Sequence, residues 1–80
     1  MKRIYNHYVI ELICKKPSIT GALSVWFNSR SNTNYVYTNT DAEVLTESMK
    51  DRFMQYLTDN QEFSDFTIVP RKVLVEVEDC

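Results

Sequence analysis

Eighty residues, 44% of them hydrophobic and 25% charged, with a net charge of −2, make a single small globular domain and exclude a disordered chain. A chain of this length buries a little over ~60% of its unfolded surface, which leaves room for one core and one binding face but little for a deep cleft. The lone glycine, Gly21, excludes the glycine-rich loops that cradle phosphates, since those need several positions without a Cβ.

The N-terminal stretch MKRIYNHYVIELICKK puts basic residues before an apolar run, as a signal peptide does. Asn6, His7 and Glu11 interrupt that run short of the ~7 to 15 apolar residues such a peptide needs. No segment reaches the length of a membrane span. Together with the Met1 start and the lack of a glycosylation sequon, these features give the expectation of a complete cytoplasmic protein. In a reducing compartment Cys14 and Cys80 are then expected as a buried and a terminal thiol rather than a disulfide.

Alternation of period two predicts a first strand from Tyr5 to about Lys15, with Tyr8, Ile10, Leu12 and Cys14 on one face and His7, Val9, Glu11 and Ile13 on the other. Lys16-Pro17-Ser18 breaks it. A second strand carries Leu23, Val25 and Phe27 on one face and Ser24, Trp26 and Asn28 on the other. RSNTN is a five-residue hairpin loop leading to a return strand from Tyr35 to Thr38. With a single glycine in the chain, such turns rely on Asn, Asp and Ser. Thr40-Asp41-Ala42-Glu43 reads as a capping box, and Ala42, Leu45, Met49, Phe53, Tyr56 and Leu57 follow as an apolar stripe. The spacing therefore predicts a helix from Asp41 to about Thr58. DNQEFSD is a polar exit loop, after which Phe66–Val69 and Val73–Val77 are strand-like, with Pro70 marking a bend, an edge or a boundary. The expected fold is α+β in the order β-β-β-α-β, a mainly antiparallel sheet with one helix packed on one face.

Charge is unevenly spread. Residues 1 to 40 carry five basic side chains against Glu11 alone, whereas residues 41 to 65 carry seven acids against Lys50 and Arg52. Glu43, Glu47 and Asp51 recur every four residues and, on the expected helix, form an acidic row away from the apolar stripe. That row is either a solvated flank or a patch that docks on a basic partner surface. Val44 and Met54 fall off the stripe and, beside the acidic row, could supply the apolar centre of such an interface.

Three readings compete for the aromatic hairpin. Trp26, with Tyr35 or Tyr37 across from it, could form cross-strand pairs that only stabilise the sheet, anchor a protein partner, or stack on bases. The basic doublets Lys2-Arg3, Lys15-Lys16 and Arg71-Lys72 would then gather at strand ends to contact phosphates. Against the nucleic-acid reading stand the acidic balance and the single arginine in the hairpin.

No catalytic constellation emerges. His7 and Cys14 are seven apart on one strand and so point to opposite faces. One histidine and two distant cysteines make no zinc pattern, and no cofactor is expected. The reading that results is a small non-catalytic module that binds another protein as its inhibitor or regulator, through Glu43, Glu47, Asp51, Met54, Trp26, Tyr35 and Tyr37. In size and layout alone the chain resembles small phage or mobile-element inhibitors of host and defence enzymes, and its acidic face could occupy a nucleic-acid channel in such a partner. The alternative is a single-stranded nucleic-acid binder. Edge pairing of the hairpin or the last strand leaves a homodimer open.

Overall fold

The computed structural model describes residues 2–15 and 24–78. Gly21, Leu23, Cys80 and the Lys16-Pro17-Ser18 break lie outside the described residues. The architecture is the expected α+β one: a four-stranded antiparallel sheet in the order β3-β2-β1-β4, with one α-helix on one face. β1 (Lys2–Cys14) is the spine, pairing over its whole length with β4 (Phe66–Glu78) and over Glu11–Ile13 with β2 (Ser24–Phe27). The two long strands run past the rest of the sheet as a two-stranded arm, so the molecule measures 49 × 25 × 20 Å. No helix of the described residues is long and apolar enough to cross a membrane.

The core forms where alternation points one set of side chains at the helix. Ile10 and Leu12 of β1 are fully buried, with Val25 and Phe27 of β2 beside them. Phe66 and Ile68 of β4 pack against the same cluster. α1 (Glu47–Asp59) closes it with Phe53, Met54 and Leu57, and the Phe53 ring sits 4.7 Å from that of Phe27. Burial of this kind contributes about 25 cal/mol per Å² of apolar surface, the main favourable term in so small a domain.

The helix begins later than its apparent capping box. Thr40 falls in a 3-10 turn at Asn39–Asp41, and the cap of α1 is Thr46, whose hydroxyl oxygen accepts a hydrogen bond from Met49 N at 3.3 Å. The intervening residues are claimed by the sheet. Leu45 exchanges two backbone hydrogen bonds with Tyr8 (2.7 and 2.8 Å), and Glu43 N donates to Phe27 O at 3.1 Å. Ala42 and Leu45 are buried as predicted, but by extended chain docked beside β1 and β2 rather than by a helix face. The helix consequently turns a different stripe inward: Met49 and Tyr56 are exposed, while Met54 packs on the core.

Three further departures have local causes. β3 is only Tyr35–Val36, because the chain leaves the sheet for the 3-10 turn. The preceding loop closes with Asn28 N donating to Asn34 O (3.1 Å) and with Asn34 at a φ of 67°, a left-handed conformation that Asn tolerates better than most residues. The exit loop contains a core residue: Asn60 accepts from Glu62 N (3.0 Å), starting a 3-10 turn at Gln61–Phe63 that buries Phe63 against Phe66. Finally, Pro70 does not split the last strand. β4 is continuous through it because β4 is an edge strand, where a missing N–H costs no ladder bond.

Candidate functional site

With α1 over one face of the sheet, the other face is covered by none of the described elements. Register fixes its occupants, since directly paired residues in an antiparallel sheet share a face. One row runs across all four strands: Val36, Trp26, Glu11 and Val69. Around it stand Ile13 and Val9 on β1 and Val73 and Val75 on β4, all half-buried, with Val77 and Tyr5 exposed toward the tip of the arm. The outcome is a largely apolar sheet face with Trp26 near its centre.

An ion pair between described residues crosses this face beside Trp26. Arg71 Nε donates to Glu11 Oε1 at 3.0 Å and its terminal nitrogen reaches the same oxygen at 3.0 Å. The two residues sit diagonally on neighbouring strands, within reach of long side chains. The pair neutralises the Glu11 carboxylate, which stands among the valines. His7 shares the face, with the Tyr5 ring edge-on at 6.3 Å and its Nδ1 buried without a hydrogen-bond partner among the described residues. Cys14, paired with Phe66, lies on the helix side, so the thiol and the imidazole are on opposite faces as their spacing predicts.

The residues singled out by the sequence divide into three groups. Trp26 is on the open face, opposite Val36 rather than Tyr35 or Tyr37. Tyr35 pairs with Phe27 and packs on the core from the helix side, and Tyr37 is 73% exposed, meeting the Tyr35 ring at 90°. The negative charge that an ionised Tyr37 would place beside it, together with a hydrogen bond to Tyr37, raises the Tyr35 pKa above its ordinary value. The aromatics of the hairpin are therefore not one cluster.

The acidic row is shorter than its spacing implied. Glu43 is not on the helix: its carboxylate accepts hydrogen bonds from Ser29 N (2.8 Å) and Ser29 Oγ (2.5 Å), tying the extended segment to the hairpin loop. Glu47 and Asp51 remain one turn apart on α1, and the same row continues through Gln55 to Asp59, whose carboxylate accepts from Gln55 at 2.8 Å. Lys50 reaches Asp51 at 2.6 Å while its ammonium lies 4.7 Å from the centre of the Tyr8 ring. That hydrogen bond to Asp51 holds the Lys50 pKa above its ordinary value. Met54 belongs to the core and lends nothing to an outer patch, whereas Val44 is half exposed beside the Leu45 bridge.

Strand register also separates the basic residues. Lys2 and Arg3 stand at one end of β1, Lys15 just past the other, and Arg71-Lys72 opposite Val9-Tyr8 between them. At ~3.3 Å per residue, neighbouring groups are about 20 Å apart. Lys2 is moreover paired with Glu76 at 3.2 Å and Arg71 with Glu11. Lys16 lies outside the described residues.

Beside the C-terminal end of α1, Tyr56, Asp59, Asn60 and Gln61 line a shallow depression of about 390 Å³. There Asn60 Nδ2 donates to the Tyr56 oxygen at 3.3 Å, and the Asp59 carboxylate accepts from Gln55. Among the described residues, no three His, Cys, Asp or Glu side chains come together as a metal site.

The open-face residues that sequence reading missed are those of β3 and β4: Val36, Val69, Val73 and Val75. Alternation marked one face of β1 as half apolar, but only pairing could add these neighbours to it. Comparison of the chain with protein-family models, with curated proteins and with solved structures finds no match.

Proposed function

We propose that this chain is a non-catalytic protein-binding module, an inhibitor or regulator of a larger protein, and that it docks through the open face of its sheet. The observation that carries the proposal is the apolar group around Trp26, with Val36 and Val69 in line with it and the Glu11–Arg71 pair between, on a face that none of the described elements covers. Contiguous apolar patches of this kind on small proteins mark interaction sites. Tryptophan is enriched among the residues that dominate binding energy, and the central ion pair offers orientation to a partner. The reading rests on the sheet rather than the helix. Of the acidic row, Glu43 is engaged in holding a loop and Asp51 in holding Lys50.

Nucleic-acid binding has less support. Base stacking needs aromatics lined along a positively charged track. Here one aromatic stands at the centre of the face, and the Arg71 guanidinium on that face is paired with Glu11.

The test is co-purification from lysate with wild-type chain, Trp26→Ala, Val69→Lys and the double variant Glu47→Lys/Asp51→Lys, each checked for folding by circular dichroism. A specific partner should be retained by the wild type and the helix variant and lost by the two sheet variants. Truncating a central tryptophan anchor costs about 2 kcal/mol or more, roughly thirtyfold in affinity. Partner capture unaffected by the sheet variants would refute the assignment. So would the absence of any protein partner while oligonucleotides quench Trp26 fluorescence with steep salt dependence.

A further inference from the structure

β4 is the outermost of the described strands, and the direction of the backbone groups it does not use on β1 follows from its neighbours. Tyr8 uses both its N–H and its C=O on Leu45, on the side of β1 away from β4. Hydrogen-bonding direction alternates along a strand, so the odd-numbered residues of β1 bond to β4. The bond from Lys15 N to Asp65 O at 2.8 Å continues that pattern. Their partners on β4 are odd-numbered as well. The even-numbered residues Pro70, Lys72, Leu74 and Glu76 therefore turn their backbone groups outward to the free edge, which is where a proline in a strand is tolerated.

Charges on an edge strand ordinarily block pairing with other chains. On β4 their order is self-complementary. Lys72-Val73-Leu74-Val75-Glu76 reads alike in apolar pattern from either end, with opposite charges at its two ends. We propose that β4 pairs edge to edge with β4 of a second copy, antiparallel about a two-fold axis through Leu74, joining the two four-stranded sheets into one.

In that register Leu74 meets Leu74, Val73 meets Val75, and each Lys72 faces Glu76 of the other copy. Lys72, Leu74 and Glu76 each exchange a reciprocal pair of backbone hydrogen bonds across the axis, using the groups that point outward. Three features of the single chain fit this arrangement. Leu74 is 65% exposed although it lies mid-strand, and Ile4 beside it is 66% exposed, so α1 leaves this end of the sheet bare. Lys72 has no carboxylate partner among the described residues, whereas Glu76 is already flanked by Lys2. Each Glu76 would then sit between Lys2 of its own chain and Lys72 of the other. Moving the axis to Val75 sets Leu74 against Glu76 and loses the leucine contact, so the register at Leu74 is preferred. The other free stretch of edge, Lys2, Ile4 and Asn6 of β1, has no such pairing of opposite charges.

This inference is independent of the partner proposed for the open face, and it is tested by self-association alone. Sedimentation velocity on wild-type chain should show a dimer. Lys72→Glu and Glu76→Lys should each weaken it about tenfold or more, because attraction becomes repulsion at two symmetric sites. An equimolar mixture of the two single variants should associate again, since at both sites a carboxylate of one variant then faces an ammonium of the other. The double reversal Lys72→Glu/Glu76→Lys should also dimerise. Rescue by mixing cannot come from a folding defect in either variant. A wild-type chain that is monomeric at millimolar concentration overturns the proposal. So do single reversals that leave the dimer intact, or a mixture that stays dissociated.

Discussion

Replacing Thr46 with alanine removes the hydroxyl oxygen that accepts a hydrogen bond from Met49 N, one of the N–H groups in the first turn of α1 without an intrahelical partner, at 3.3 Å. Losing an N-cap costs about 0.5–2 kcal/mol. A bond of this length is long for an N–H to oxygen contact, so the cost belongs in the lower half of that range, about 0.5–1 kcal/mol. For a domain of this size each kcal/mol moves the Tm by about 4–8 °C, so Thr46→Ala should lower it by about 2–8 °C. The control is Thr40→Ala. The Thr40 hydroxyl donates to the Thr38 hydroxyl at 3.3 Å on the exposed 3-10 turn and caps nothing on α1. Surface substitutions of that kind stay within about 0.5 kcal/mol. Thermal melts followed by circular dichroism, with reversibility checked, measure both. If Thr40→Ala destabilises the chain as much as Thr46→Ala, the helix starts at the sequence motif and the argument for sheet capture of residues 42–45 fails.

Leu57 is 1% exposed and is the one fully buried side chain of α1 among the described residues. Leu57→Ala should cost about 2–5 kcal/mol, enough to approach the whole stability of so small a domain, read as a large drop in the urea midpoint. Tyr35 should ionise above the ordinary tyrosine range in a spectrophotometric titration, and Tyr37→Phe should return it toward that range. Between the ordinary and the raised pKa the folded chain keeps a proton that the unfolded chain has released, so stability should fall as pH rises through that window. A Tyr35 that titrates as usual in the wild type refutes the cause assigned to its shift.

Much of the fold was legible because period-two alternation depends only on local chain geometry. Ile10, Leu12, Val25 and Phe27 were readable as core faces, and Trp26 as a residue of the opposite face, since neighbours along a strand must point opposite ways. Asn-rich turns followed from the shortage of glycine, and the edge position of the last strand was among the readings that Pro70 allowed.

What tertiary structure decided were contests between local and long-range partners. The segment from Asp41 carries every local sign of a helix start, yet two hydrogen bonds between Leu45 and Tyr8 hold it extended. That single outcome moved the cap to Thr46, took Glu43 out of the acidic row and drew Met54 into the core. Likewise, no spacing within one strand could reveal the row of Val36, Trp26, Glu11 and Val69, whose members come from four strands and meet only through register. Sequence determined which side chains each strand turns to either face, because alternation is a property of the chain itself. The sheet alone decided which of those side chains became neighbours, because pairing joins residues far apart along the chain.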